Sequence, residues 1–338
     1  MRNCSRVCQR RRSKTFFCSR LKKDSMAALS PAAPTRPIAT WSAETHLDLM
    51  DRSGIDTAVL SVSSPGVHFG DDSPARVLAR RLNDFAASVV ADHPGRFGWF
   101  ASLPLPDLDG ALGEIDYAFD ALGADGIILE TNIHGTYLAD PYLEPIFTAL
   151  DHRAAVVFHP TSPVCWRQCA LGRPRPMIEF IFDTARSVTD LLFASILDRY
   201  PRLRIIVPHC GGALPVIADR ISGFMQLARQ ADDGSSDPIT QLRRLYYDTA
   251  GSPFPRQIAA LLNLVDIAQL LYGSDYPWTP AETAKVHAAA FADMPVPGKD
   301  ATWQALTTEN ALGYCPGWCV DPNIGHLADA RADCGLRP

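Results

Sequence analysis

Ala155-Val156-Val157-Phe158-His159-Pro160 is an apolar, β-branched run that stops at an imidazole and is turned aside by a proline. The pattern recurs twice. Arg204-Ile205-Ile206-Val207 leads into Pro208-His209-Cys210-Gly211-Gly212, and Leu270-Leu271-Tyr272 leads into Gly273-Ser274-Asp275-Tyr276-Pro277. Short buried strands that end at titratable groups are how α/β barrels present chemistry at the carboxyl edge of the sheet. The three runs therefore set the fold class and the place to look for a site.

Working outward, four more apolar runs have strand length: Thr57 to Val62, Phe97 to Leu103, Gly126 to Leu129 and Leu245 to Asp248. Helical periodicity separates them, which predicts βαβ repetition and a parallel sheet. Seven strands are one short of a closed (β/α)8 barrel, so the expectation is a distorted TIM-type α/β barrel with an open seam. Ser42 caps a helix that Gly54 ends, Ala75 to Asp92 forms a second, and Thr184 to Tyr200 forms a third, stopped by Pro201.

The 338 residues are 47% hydrophobic and 20% charged, enough for one enzyme-sized core without a second domain. Three segments are expected: a basic, proline-rich leader at 1–36, the barrel at 37–314 and a tail of low periodicity at 315–338. The formal net charge is −5, but Met1 to Asp24 carries nine Lys/Arg and one acid, a net +8, which leaves −13 for the rest. Arg10-Arg11-Arg12 has no amphipathic apolar spacing around it, and Met26 is a second candidate start, so the leader is read as non-structural. Nucleic acid is not an expected partner. No run approaches the roughly 20 apolar residues that span a bilayer, so no membrane partner is expected and the cytoplasm is the expected location. The nine cysteines include the pairs Cys4/Cys8, Cys165/Cys169 and Cys315/Cys319, spaced to share one helical face but matching no standard zinc cluster. Reduced thiols are the expectation.

His159 suits a metal ligand or a general base, and equally a core histidine bonded to backbone. His209, beside Gly211-Gly212, sits where backbone turns tightly and substrate atoms can come close; the alternative is a helix cap. Asp275 ends an almost wholly apolar strand, where a carboxylate is costly to bury unless paired, protonated or metal-bound. Asp248 is a weaker candidate of the same kind.

Taken together, Phe158-His159-Pro160, Phe182-Asp183-Thr184-Ala185-Arg186, Arg199-Tyr200-Pro201, Pro208 through Pro215 and Gly273 through Pro277 resemble the amidohydrolase-related metal-dependent decarboxylases. The likeness runs from Trp41 to Leu312 and is nearest to the aminocarboxymuconate-semialdehyde, 6-methylsalicylate and γ-resorcylate decarboxylases. The resemblance implies a distorted TIM barrel, a homodimer, a small carboxylic acid substrate and one divalent metal ion, Zn2+ or Mn2+. It implies His159 and Asp275 as metal ligands, and His209 with Asp275 as the groups that handle the proton. Members of this family begin with a strand carrying His-x-His or Glu-x-His, and no such motif precedes Trp41; the first histidine is His46, inside a predicted helix. The strand that pattern leaves out and the ligands that chemistry leaves out are thus one absence, which implies weakened metal binding.

No lysine occurs between Lys23 and Lys285, so no barrel strand supplies a carbamylated lysine for a two-metal centre or a Schiff base. In the loop after the His159 strand, Arg173 and Arg175 are candidate grips for a substrate carboxylate, and equally solvated loop arginines. Trp278, Trp166 and Phe69 are candidates for stacking on a ring; lining the core is the alternative. The expected reaction is decarboxylation of an aromatic or muconate-like acid. Hydrolysis of a lactone or related ester and a degenerate, non-catalytic barrel are the alternatives.

Overall fold

All seven predicted runs pair in one parallel sheet in the computed structural model of the chain, which describes residues 40–151, 153, 155–228 and 236–314. The strands are β1 (Ala58–Leu60), β2 (Phe97–Ser102), β3 (Gly126–Glu130), β6 (Ala155–His159), β7 (Arg204–Val207), β8 (Tyr246–Asp248) and β9 (Leu270–Leu271), and that is also their order across the sheet. Among the described residues no eighth strand joins it, so β1 and β9 are its edges. The leader at 1–36 and the tail at 315–338 lie outside the described residues, as do the cysteines they contain.

The helices are α1 (Ala43–Ser53), α2 (Asp72–Asp92), α3 (Leu108–Asp116), α4 (Glu144–Leu150), α5 (Trp166–Cys169), α6 (Arg175–Phe193), α7 (Ile196–Arg199), α8 (Leu214–Ala228), α9 (Pro238–Leu242), α10 (Arg256–Leu261), α11 (Ala281–Asp293) and α12 (Trp303–Tyr314). Helix α1 carries the predicted signals: the Ser42 hydroxyl accepts from the Thr45 amide at 3.2 Å, and Gly54 closes the helix at φ 64°. The third predicted helix needs correction. It starts earlier, at Arg175, where Pro174 and Pro176 suit a first turn, and it breaks at Ser195, whose φ of 55° separates α6 from α7.

Strand alternation divides the core in two. Trp99, Ala101, Ile127, Leu129, Val156 and Phe158 face outward, into the main cluster between sheet and helices. Phe100, Ile128, Ala155, Ile206 and Leu271 face inward around Tyr314. Tyr314 is fully buried, and its hydroxyl donates to the Arg204 carbonyl at 2.8 Å, at the start of β7. The last residue of α12 therefore plugs the amino-terminal end of the barrel and leaves the opposite end to carry the site.

A small antiparallel hairpin, β4 (Asn132–Ile133) and β5 (Thr136–Tyr137), was not expected. Its two-residue tip, His134-Gly135, has φ of 52° and 95°, the doubly left-handed geometry of tight hairpins. Asp183 of α6 anchors it: this fully buried carboxylate accepts from Asn132 Nδ2 at 2.8 Å, from the Thr131 and Tyr137 hydroxyls at 2.5 Å each and from Arg186 at 2.6 Å. No helix among the described residues is long and apolar enough to cross a membrane.

Candidate active site

At the carboxyl end of the strands lies a cavity of about 1250 Å³, lined by His159, His209, Asp248, Asp275, Phe69 and Trp278 among others. His159, His209, Asp248 and Asp275 are delivered to this mouth by the ends of four different strands, β6, β7, β8 and β9.

His159 is the last residue of β6 and pairs in register with Glu130 at the end of β3. Its Nδ1 lies 2.9 Å from the Pro160 carbonyl and 3.2 Å from the Ser64 amide. The carbonyl requires a hydrogen on Nδ1 and the amide forbids one. The shorter carbonyl contact, and the Glu130 carboxylate 3.8 Å away on the same side, favour the protonated Nδ1. Nε2 then keeps its lone pair. Burial works against a charged ring here, but the Glu130 and Asp275 charges and the Pro160 carbonyl outweigh it and shift His159 upward. At 3.8 Å, Glu130 acts by its charge rather than through a hydrogen bond.

His209 stands in a strained turn. His209, Cys210, Gly211 and Gly212 have φ of 57°, 53°, 78° and 60°, four left-handed residues in succession. A Cβ on Gly212 would lie 2.6 Å from the Ile181 carbonyl, so only glycine fits there. Asp248, at the end of β8, holds the turn: its Oδ1 accepts the His209 amide at 2.9 Å and the Ala250 amide at 3.0 Å. His209 Nδ1 is buried with no hydrogen-bond partner among the described residues. Cys210, which adjoins it, is buried in the core, and burial pushes its thiol up, away from reactivity.

Asp275 also has a left-handed φ, 53°. Burial raises its carboxyl, while the fields of His209 and His159 pull it down and Asp248 raises it further. His159, His209 and Asp275 line the one cavity. Trp278 lines the same cavity and donates its indole N–H to Ser63 at 2.7 Å. Arg173 is exposed in the turn before α6 and does not line the cavity; neither does Trp166, whose ring lies under the Arg175 guanidinium at 5.1 Å.

Two neighbours escaped the sequence reading. Glu130 lies beside Gly66, its Oε2 buried without a hydrogen bond, and burial raises its pKa. The signal was available, since Glu130 ends the apolar run Gly126 to Leu129 as Asp275 ends its own. His46 turns out to line the cavity, but it accepts the Trp41 indole N–H on Nδ1 at 3.0 Å, which places its own hydrogen on Nε2. Burial lowers it to about 4, so it is a neutral donor and not a ligand.

In kind, His159 Nε2 and the Asp275 carboxylate suit a divalent cation, with His209 beside them. In number they fall short: no three His, Cys, Asp or Glu side chains among the described residues are grouped to hold one.

Comparison with known proteins bears on this arrangement. A family model described as amidohydrolase matches residues 27–312. A 6-methylsalicylic acid decarboxylase of Penicillium expansum is 36% identical over 249 residues, which are 72% of this chain and 77% of that protein. The crystal structure of an amidohydrolase II superposes with a TM-score of 0.75 at 31% identity, covering 85% of this chain and 94% of that one. A 5-carboxyvanillate decarboxylase of Novosphingobium aromaticivorans, solved with manganese and 4-hydroxy-3-methoxy-5-nitrobenzoic acid, superposes with a TM-score of 0.69 at 25% identity, covering 80% and 79%. With the family model spanning most of its length and the seven-stranded parallel sheet in place, the chain belongs to the amidohydrolase family.

Proposed function

We propose that this chain is a carboxy-lyase that releases carbon dioxide from a small aromatic carboxylic acid. The observation that carries the reading is the meeting of His159, His209 and Asp275 at one cavity mouth, in a chain whose relatives with a named reaction are decarboxylases. The hydrolytic alternative has no observation in its favour. The catalytic unit is residues 37–314. The described cysteines, Cys165, Cys169 and Cys210, are free thiols, which supports a reducing, cytoplasmic setting.

The chemistry follows from what each group can do. Trp278 and Phe69 offer apolar faces to an aromatic ring, while the strand-end groups meet its carboxylate. His209 is the acid–base residue: its turn holds the ring at the mouth, and it passes a proton to the ring carbon that carries the carboxylate. The carbon–carbon bond then breaks, carbon dioxide leaves, and the ring regains its aromatic electrons. The Asp275 charge, at the same mouth, favours the protonated His209 that donates. A divalent cation, zinc or manganese, would be held by His159 and Asp275 and would supply positive charge beside the substrate carboxylate.

The test uses the purified full chain with 6-methylsalicylate and 5-carboxyvanillate, monitoring carbon dioxide together with bound metal. His209→Ala should abolish gas release and leave the metal content unchanged. Undiminished turnover in that variant would remove His209 from the mechanism, and a ring-opened or hydrolysed product without gas would remove the reaction class.

A further inference from the structure

The tip of the β4–β5 hairpin carries a histidine that its backbone does not call for. His134 and Gly135 are both left-handed, a pair for which Asn-Gly or Asp-Gly is the usual choice, and the buried Asp183 carboxylate already anchors the hairpin through Thr131, Asn132 and Tyr137. The His134 side chain finds its partner outside the hairpin: Nε2 lies 2.8 Å from Nδ1 of His68.

His68 is buried, and its other contacts fix the direction of that bond. Its Nδ1 accepts the Gly70 amide at 3.2 Å, so Nδ1 carries no hydrogen, and its Nε2 donates to Oδ1 of Asp72, the first residue of α2, at 2.9 Å. His134 Nε2 is therefore the donor to His68. Asp72, His68 and His134 form one chain of hydrogen bonds from α2 to the hairpin tip.

That chain meets the loop between β1 and α2 beside the site. Ser63, Ser64, Gly66 and Phe69 of this loop line the cavity. The near end is tied down by Trp278, whose indole donates to Ser63 Oγ at 2.7 Å, and by Ser64 Oγ, 2.8 Å from Thr161 Oγ1. At the far end Phe69 is 52% exposed, too open to be held by its own packing, and the bonds on either side of it are those of His68 and Gly70.

We propose that His68 and His134 are positioning residues: the bond between their rings pins the far end of the loop to the hairpin and so holds the Phe69 ring at the cavity mouth. Its effect on turnover rests on the decarboxylase reading, in which Phe69 meets the aromatic ring of the acid. Losing the bond weakens substrate capture and leaves the proton transfer at His209 unchanged. A neutral hydrogen bond supports an effect on the order of fivefold.

Two variants of the full chain at the exposed tip separate this role from a merely structural one. His134→Asn suits the turn better than histidine, but its amide stops short of His68; His134→Gln carries an amide nitrogen as far out as Nε2. Amide exchange across residues 63–70 in the substrate-free protein, read by mass spectrometry, should quicken on the order of fivefold in His134→Asn and return to the parent rate in His134→Gln. With 6-methylsalicylate, KM should rise by the same factor in the asparagine variant at unchanged kcat, and glutamine should restore it. Parent-like exchange in His134→Asn, or faster exchange that glutamine does not restore, would overturn the pin. So would an unchanged KM beside faster exchange, or a loss confined to kcat. A parent that releases no carbon dioxide would remove the decarboxylase reading alone, and the exchange comparison would still decide the pin.

Discussion

Asp248→Ala tests how the His209 turn is held. His209 and Cys210 are two non-glycine residues in the left-handed region. Each such residue costs about 1–3 kcal/mol, and it persists only where the surroundings impose it. The imposing group is the Asp248 carboxylate, whose Oδ1 accepts the His209 and Ala250 amides at 2.9 and 3.0 Å. Hydrogen bonds to a charged acceptor contribute about 1.5–3 kcal/mol each, so the pair matches the strain it offsets. Truncation to alanine should therefore cost about 3 kcal/mol in a urea titration, the lower end of that pair because Asp248 is only partly buried and water can replace it. The turn should then relax and carry the imidazole away from the mouth. A displacement of about 1 Å is worth on the order of a hundredfold in rate, so kcat for carbon dioxide release should fall about that much. Asp248→Asn keeps an acceptor and should recover most of both losses. If Asp248→Ala turns over like the parent, or if asparagine rescues stability but not rate, the carboxylate does not act by fixing this backbone.

Gly126→Ala places a Cβ 2.2 Å from the Ala155 carbonyl and 2.7 Å from the Phe100 ring, between paired strands that cannot part. A loss of about 3 kcal/mol is expected by chemical denaturation, and a loss below 1 kcal/mol would contradict the β3–β6 register. The Asp107 carboxyl is held below its ordinary range by its hydrogen bond to Arg76, aided by the Gly110 amide. A depressed folded pKa stabilises above the unfolded value and loses that contribution as pH falls through the folded one. Asp107→Asn should thus lower the melting temperature at pH 7 and leave it nearly unchanged near pH 2, a convergence that thermal scans across that window would show or refute.

Strand placement was legible because a strand buried on both faces must be apolar along its length, and all seven such runs were found within a residue or two. The hairpin was not, because its four strand residues are too few to show a period and His134 stands where asparagine or aspartate usually marks such a turn. His159, His209 and Asp275 could be named because each interrupts an apolar pattern. Glu130 interrupts one too, but a charged residue followed by Thr131-Asn132 reads as the start of a loop. The cavity position of His46 was invisible, since it depends on which helix face meets the sheet and on the Trp41 indole that satisfies its ring.

The inner cavity, at about 1250 Å³, exceeds the usual range for a small-molecule pocket, roughly 300–1,000 Å³. It reaches past His159, His209 and Asp275 to Met50 of α1 and Ala311 of α12. A single benzene ring fills only a small part of that volume. Discrimination between acids must then come from anchoring one end of the guest, so para- and meta-substituents pointing into the void should be tolerated while changes at the carboxylate or its ortho neighbour should not.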